Sequence, residues 1–270
     1  MSEHKVIEGT RRPITVQAML QDLKNLGICE GDTILVHSAL SSLGWVCGGP
    51  QAAVQALLQA VGESGTLVMP AQSADWSDPA EWENPPVPTE WIDIIYREMP
   101  AFDPAITPTR GMGRIAELFR TFPGTVRSDH PQASFCANGL HAEYITSGHE
   151  LTPQFGMASP LGKLYDLQAK VLLLGVGYDS CTSFHLAEAQ IDSMPKKRMG
   201  AAVLENGQRV WRWFEDFQYD SEDFARIGEQ LETESSVMVG KVGNAECKLF
   251  HMKDAVDFAK QWLQSNRIGL

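Results

Sequence analysis

The chain has 270 residues, of which 43% are hydrophobic, enough for one large α/β domain or two small ones, and no change in composition requires two. Its formal net charge of -12 argues against nucleic acid or an anionic membrane as partner, because both need a basic surface, and favours a small cationic substrate. Segment 1–12 is polar, which predicts a cytoplasmic protein without a signal peptide or membrane span. The five cysteines are scattered and form no C-x-x-C pair, which predicts reduced thiols and no bound metal.

The first part of the chain predicts a strand, helix, strand unit. Thr15 stands before an amphipathic run with helical spacing, and Gly27 follows the last apolar residue of that run, as expected of an N-cap and a C-cap. A buried strand is expected at 32–37, a helix at 50–61 that begins with proline, and a second strand at 65–69. Units of this kind build mostly parallel sheets.

Residues 71–108 predict a long loop interrupted by one short helix at about 89–97, because prolines and tryptophans are concentrated there. Long loops inside a compact domain are usually functional. We therefore expect this segment to contact the substrate.

The rest of the chain predicts further helices and strands of one α/β domain that covers residues 1–270. Helices are expected at about 113–122, 161–166, 182–190, 220–231 and 254–263. Strands are expected at 170–175, the most hydrophobic of them, and at 201–204, 209–214 and 245–250, with 127–138 irregular or a short strand.

Two glycine-rich segments, 111–116 and 175–180, match a dinucleotide-binding fingerprint only in part. That fingerprint needs a preceding strand, a following helix and a third small residue within the helix. The first segment lacks the strand, and the second lacks the last small residue and carries Asp179 inside the turn. Nicotinamide binding is therefore not indicated. P-loop, HExxH and G-x-S-x-G patterns are missing too, so P-loop nucleotide hydrolysis, zincin chemistry and α/β-hydrolase chemistry are not indicated either.

Segment 175–188 carries the candidate chemistry. It begins at the carboxyl end of the most hydrophobic predicted strand, where open α/β sheets place their ligand sites. A helix that begins near residue 182 would put Glu188 on the same face as His185, where its carboxylate could accept a hydrogen bond from one imidazole nitrogen. The other nitrogen would be free to take a proton, which predicts a general base with its orienting carboxylate. The alternative is an ordinary pair on a helix surface.

Segment 36–49, rich in serine and glycine, also follows a predicted strand and leads into a helix. Free backbone N–H groups and the helix dipole would suit phosphate oxygens there. The alternatives are a loop with serine caps and, for His37, a buried histidine with satisfied hydrogen bonds.

Charges are segregated along the chain. Acidic residues predominate at 75–103 and at 215–234, whereas arginines predominate at 110–127. An enzyme that brings a polyphosphate cofactor to a polycationic substrate would need such segregation, with the acids towards the substrate and the arginines towards the cofactor. The alternative is that each block is a solvated face.

Taken together, these segments resemble the aminoglycoside 3-N-acetyltransferase family. The matching blocks occur in family order and cover nearly the whole chain: HSALSSLGWVCGG (37–49), DPAITPTRGMGRIAELFRTFPG (103–124), RSDHPQASFCANG (127–139), SPLGKL (159–164), LLLGVGYDSCTSFHLAE (172–188) and FARIGEQLE (224–232). The resemblance implies a three-layer α/β/α sandwich around a mixed, mostly parallel central sheet, with CoA bound in a cleft. It also implies transfer of an acetyl group from acetyl-CoA to the 3-amino group of a 2-deoxystreptamine aminoglycoside, which confers antibiotic resistance.

Carried over by position, the resemblance makes His185 the general base and Glu188 its partner. Acetyl-CoA is expected along His37, Ser38, Leu40, Ser41, Thr109, Met112 and Gly113. Substrate ammonium groups are expected at Asp75, Asp179 and Asp216.

Alternatives stay open at this point. Cys181, four residues before His185, could be acetylated first in a ping-pong reaction. The chain could also be an acyl-CoA-dependent N-acyltransferase of a different small amine, or a non-catalytic CoA-binding relative. For the oligomeric state, a homodimer is the working hypothesis.

Overall fold

The computed structural model describes residues 3–267, so the predicted outer bounds of the domain, 1 and 270, lie outside the described residues. Its helices are α1 (Glu3–Glu8), α2 (Val16–Leu26), α3 (Gly49–Val61), α4 (Thr89–Glu98), α5 (Gly113–Arg120), α6 (Ala142–Thr146), α7 (Pro160–Asp166), α8 (Phe184–Glu188), α9 (Phe224–Glu234) and α10 (Met252–Asn266). Its strands are β1 (Thr33–Ser38), β2 (Thr66–Pro70), β3 (Val126–Arg127), β4 (Phe135–Gly139), β5 (Lys170–Leu174), β6 (Lys196–Glu205), β7 (Gln208–Phe217), β8 (Met238–Val242) and β9 (Ala245–His251). Within this part of the chain, no helix combines the length and hydrophobicity that crossing a membrane requires.

The main sheet has seven strands in the order β3-β4-β2-β1-β5-β9-β8. At its centre β1 pairs in parallel with both β2 and β5, so that Leu35 lies opposite Val68 on one side and Val171 on the other. The outer pairings are antiparallel. Because β3 and β8 each pair with a reversed strand, they run in the direction of the three central strands, whereas β4 and β9 run against them. The predicted mixed, mostly parallel sheet is confirmed.

The strands bury alternate residues on opposite faces of this sheet. Leu35 and Leu173 belong to the core that contains α6, α7, α8, α9 and α10, whereas Val36 and Leu172 belong to the core that contains α2, α3 and α5. This alternation follows from the two-residue period of a strand. Helices therefore cover both faces, which gives the three layers that the family resemblance implied.

Local sequence signals for α2 are confirmed. The Thr15 side chain accepts a hydrogen bond from the backbone N–H of Ala18 at 3.2 Å, and Gly27 ends the helix with φ of 107°. Positive φ is unfavourable for residues with a Cβ, so glycine suits this C-cap.

The region around the hairpin β6–β7 differs from the prediction. Both strands were expected to be short, but each has 10 residues, and they form a separate two-stranded sheet. This hairpin packs against the predicted long loop, because the backbone N–H of Phe102 donates to Ala202 and the ring of Tyr96 in α4 contacts that of Trp211 at 4.8 Å between centroids. The elements α1, α6 and β8 were not predicted.

Candidate active site

A cleft of about 390 Å³ lies where the three central strands end. Ser38 from β1, Pro70 from β2 and Val176, just after β5, line it. Ligands of open α/β sheets bind at this edge. The structure thus brings segments 175–188 and 36–49 to one cavity.

His185 and Glu188 lie in α8 and are joined by a short hydrogen bond, with 2.5 Å between His185 Nδ1 and Glu188 Oε2. The Glu188 side chain is 0% exposed, whereas that of His185 is 17% exposed and lines the cleft. Since the carboxylate accepts the Nδ1 proton, Nε2 is the nitrogen left for a ligand. A carboxylate buried this deeply is not part of an ordinary surface pair, which removes that alternative. Ser183 occupies the N-cap position without forming a side-chain cap.

Aromatic rings fix the plane of the His185 imidazole. Phe155 stacks on it with 5.0 Å between ring centroids and an interplanar angle of 15°. Tyr219 and Phe224 approach it at 5.4 Å and 4.8 Å, respectively. The imidazole is therefore held by packing as well as by its hydrogen bond, which favours a single orientation of Nε2.

His37 lines the same cleft but is an uncharged residue at neutral pH. Burial, with a smaller contribution from His185, lowers the pKa of His37 to about 3. Its Nε2 is buried without a hydrogen-bond partner among residues 3–267, so it is not the satisfied core histidine of the alternative interpretation. Any contact of His37 with CoA would be a hydrogen bond rather than an ion pair.

A second pocket of about 390 Å³ adjoins the cleft, and Ser38 and Gly113 line both cavities. Of the residues predicted to contact CoA, Leu40 and Ser41 line the second pocket and Met112 lines the cleft. Gly113 opens α5 with φ of 81°, which lets the chain turn sharply where the two cavities meet.

Some predicted site residues lie elsewhere. Thr109 lines neither cavity, because its hydroxyl and backbone N–H both bond to Glu117. Asp75 pairs with Arg110 at 2.7 Å beside a third pocket. Asp216 is 1% exposed, and its carboxylate accepts hydrogen bonds from the backbone of residues 154 and 217, so it cannot meet a substrate ammonium group in this structure. Of the three proposed acids, Asp179 alone lines the cleft.

The arginine segment 110–127 was expected to face the cofactor, and most of it does not. Arg120 pairs with Glu117, and Arg127 is turned inward, where it donates to the backbone carbonyls of Thr107 and Ala71. Burial lowers the pKa of Arg127 to about 10. Arg114 is the member of this segment that lines the second pocket.

Several cleft residues were missed by the sequence analysis. Gln72, Ser180, Thr182 and Ser221 line the cleft. Ser180 and Thr182 lay within the segment already singled out, and Gln72 within the predicted substrate loop. Ser221 lies far along the chain and carried no sequence signal of its own.

Cys181 does not face the cleft. It is 0% exposed, its Sγ lies 3.0 Å from the Ser183 hydroxyl, and burial raises its pKa to about 12. A buried, protonated thiol is a poor nucleophile, since the thiolate is the reactive form. The geometry therefore disfavours acetylation of Cys181.

Comparisons with known proteins agree with this fold and identify the family. The chain is 49% identical to the SPbeta prophage-derived aminoglycoside N(3')-acetyltransferase-like protein YokD of Bacillus subtilis (strain 168), with 97% of each chain covered. The crystal structure of YokD matches with a TM-score of 0.97, 48% identity and 99% of each chain covered. Aminoglycoside N(3)-acetyltransferase VII of Streptomyces paromomycinus is 35% identical, over 98% of this chain and 96% of its own.

A further solved structure, AAC-IIIb in a binary complex with CoASH, matches with a TM-score of 0.84 and 32% identity, over 94% of this chain and 97% of its own. The family model for aminoglycoside 3-N-acetyltransferases matches residues 35–264, most of the described chain. The chain therefore belongs to the aminoglycoside 3-N-acetyltransferase family.

Proposed function

We propose that this protein transfers the acetyl group of acetyl-CoA to the 3-amino group of a 2-deoxystreptamine aminoglycoside, by direct attack in a ternary complex, and so confers resistance. The observation that carries the proposal is His185, which has Nδ1 bonded to a buried carboxylate and its ring at the wall of the cleft. Family membership supports the reaction, and two adjoining cavities are available for the two substrates.

We propose that CoA occupies the second pocket, with the acetyl group near Ser38 and Gly113, where that pocket meets the cleft. The CoA complex of the related AAC-IIIb supports a CoA site in this fold. Arg114 would face a CoA phosphate as the cation of this pocket.

The acceptor amine would lie in the cleft beside Nε2 of His185. An ammonium group first loses one proton to solvent, because its protonated nitrogen has no lone pair to attack with. The neutral amine then attacks the thioester carbonyl carbon, and His185 takes a second proton from the attacking nitrogen. When the tetrahedral oxyanion collapses, the C–S bond breaks and the departing thiolate receives that proton. Hydroxyl groups of Ser38 and Thr182, both on the cleft wall, are candidate donors to the oxyanion.

Acceptor binding would depend on Asp179, the carboxylate exposed on the cleft wall. A cationic amine is favoured there by charge, but one acid does not select an aminoglycoside over every other amine. An N-acyltransferase acting on a different small amine is therefore the second candidate, and the "-like" designation of the 49% identical YokD supports keeping it.

The test is turnover of acetyl-CoA, followed by release of the CoA thiol, over a panel of amines. We expect turnover with aminoglycosides that carry a free 3-amino group, acetylation of that nitrogen by NMR, and none when that amine is already acetylated. Expression in a susceptible bacterium should raise the inhibitory concentration of the same compounds. Turnover confined to other amines would establish the second candidate, and CoA binding without any turnover would identify a non-catalytic relative.

Three further properties stay predictions: one domain, a homodimer and a cytoplasmic location, the last supported by the intracellular occurrence of acetyl-CoA. Limited proteolysis, light scattering and cell fractionation would test them.

A further inference from the structure

We propose that Arg267, just after α10, is a positioning residue for the base: it holds Glu188 ionised and balances its charge, so that His185 stays neutral and able to accept a proton. The inference rests on the proposed function, in which His185 is the general base.

Glu188 is held at both oxygens. Oε2 accepts from His185 Nδ1 at 2.5 Å, and Oε1 accepts from the backbone N–H of Asp220 at 3.1 Å and from Nη1 of Arg267. Arg267 is itself fixed, since its Nε donates to Asp223 Oδ2 at 2.9 Å and its Nη2 to the Asp220 carbonyl at 2.8 Å. The guanidinium therefore joins the end of α10, the loop before α9 and the carboxylate that orients the base.

Burial makes the ion pair between Glu188 and Arg267 important. The Glu188 side chain is 0% exposed and that of Arg267 is 13% exposed, so water compensates neither charge well. A buried carboxylate without a cationic partner is strongly disfavoured. Without Arg267, the remaining hydrogen-bond partner of Glu188 that could supply the compensating positive charge is the His185 imidazole, which would then hold a proton and could not accept another. Although burial acts against the charge of Arg267, hydrogen bonds to Asp223 and Glu188 raise its pKa, so the cation persists.

The charges around His185 determine how removal of Arg267 should change the protonation of the imidazole. Besides Glu188, the ring faces neutral His37 from β1 and the phenol of Tyr219, whose pKa burial raises. Asp179 stands at the cleft wall, and Asp220 and Asp223 lie beyond Glu188. Without Arg267 the net charge near the imidazole becomes more negative, so the ring should keep its proton to higher pH, where it cannot act as a base.

The experiment compares Arg267→Met and Arg267→Gln, which remove the charge, with Arg267→Lys, which keeps it. Arg226→Met is the matched control, because Arg226 also pairs with Asp223, at 3.3 Å, but does not contact Glu188. The readout is NMR titration of the His185 ring in the unliganded protein, assigned by loss of its signal in His185→Asn. Circular dichroism identifies the variants that fold.

We expect the His185 titration midpoint to rise by about one pH unit in the uncharged variants. It should stay near the wild-type midpoint in Arg267→Lys and Arg226→Met. The acid limb of the kcat/KM profile should move by the same amount. A folded uncharged variant with an unmoved midpoint would overturn the inference, as would an equal shift in Arg226→Met. Because the titration needs no turnover, a wild type inactive on every amine would reject the proposed function without altering this result.

Discussion

Two pairs of histidines in this protein show how surroundings decide what an imidazole can do. The rings of His130 and His149 lie buried, tilted by 34° with 4.7 Å between their centroids, whereas His37 and His185 line the cleft. Both nitrogens of each buried ring are occupied by protein groups. In the cleft pair, each ring has a nitrogen without a hydrogen-bond partner within residues 3–267. This nitrogen is Nε2 in His37 and the one opposite Glu188 in His185. Sequence position does not distinguish the pairs, but hydrogen-bond occupancy does.

The hydrogen bonds of the buried pair are those of neutral rings, most strictly for His130. His130 Nδ1 accepts from the backbone N–H groups of Gln132 and Ala133, at 3.1 Å and 2.9 Å, and its Nε2 donates to the Leu151 carbonyl. His149 Nε2 donates to Gln154, and its Nδ1 accepts from the Ser128 hydroxyl. A further proton on His130 Nδ1 would displace both N–H bonds, whereas one on His149 Nδ1 would require the Ser128 hydroxyl to change from donor to acceptor. We therefore assign the buried pair to stability and the cleft pair to chemistry.

The largest expected effect is the loss of catalysis in His185→Asn. Removing a general base should lower kcat by about 10²- to 10⁴-fold. The melting temperature should fall by a few degrees, because the change also removes the packing of the ring on Phe155 and its hydrogen bond with buried Glu188, so kcat is compared at a temperature where both proteins are folded. Steady-state kinetics and calorimetry on the same preparation would check both values. Retention of wild-type kcat would reject His185 as the base and would end the functional contrast between the two pairs.

The opposite result is expected for His130→Ala. This change leaves the two buried N–H groups of residues 132 and 133 without their acceptor, at about 1–3 kcal/mol each, so the free energy of unfolding should fall by about 3 kcal/mol. Activity per folded molecule should be nearly unchanged. Urea denaturation measures the loss, with exposed His4→Ala as the control. A lower kcat at full folding would show that the buried pair also serves the reaction.

Acid should weaken the fold through the same histidines. Burial lowers the pKa of His149 from 6.5 to about 4 and that of His37 to about 3, and it also lowers the pKa of His130. The unfolded chain therefore binds more protons than the native one below pH 6.5. Stability is full above that pH and falls by about 1.4 kcal/mol per pH unit for each histidine as the pH drops towards its native pKa.

Urea denaturation between pH 7 and pH 5 would measure this slope. Carboxylates also titrate at the acid end, so the informative quantity is the difference between wild type and His149→Asn. The variant should show a slope smaller by about 1.4 kcal/mol per pH unit over the range below 6.5. Parallel slopes would mean that His149 binds its proton in the native state as readily as in the unfolded one.

The parts of the fold and site that could be predicted from sequence are those encoded within one short segment. The spacing of His185 and Glu188 placed both side chains on one face of α8, and caps bounded α2. Arg267, 79 residues from Glu188, could not be found this way, because its contact depends on how α10 packs on α8. Charge alone was misleading for Asp216, since composition does not reveal burial.

Short or exposed elements also escaped prediction for physical reasons. Helix α1 has 6 residues and buries none, so its sequence shows no apolar periodicity. Strand β8 is an edge strand whose residues are mostly exposed, so it lacks the alternation on which strand prediction depends. The packing of hairpin β6–β7 on the long loop is set by contacts between distant segments, such as that of Phe102 with Ala202.

The smallest expected effect concerns carboxylates, which show the same contrast as the histidines: Asp216 is buried and hydrogen-bonded, whereas Asp179 is exposed in the cleft. If Asp179 attracts the acceptor, the KM of a tetra-amine aminoglycoside should rise with salt by several-fold more than that of a mono-amine. The Debye length falls from about 10 Å at 0.1 M to about 3 Å at 1 M ionic strength, which removes long-range attraction. Asp179→Asn should flatten the dependence of KM on salt for the tetra-amine.

The matched control is Asp75→Asn, because Asp75 already pairs with Arg110 beside another pocket, so its loss should leave the slope unchanged. Equal slopes for both acceptors, unaltered in Asp179→Asn, would place the acidic residues of this protein among its solvated surface charges and leave acceptor binding to uncharged contacts.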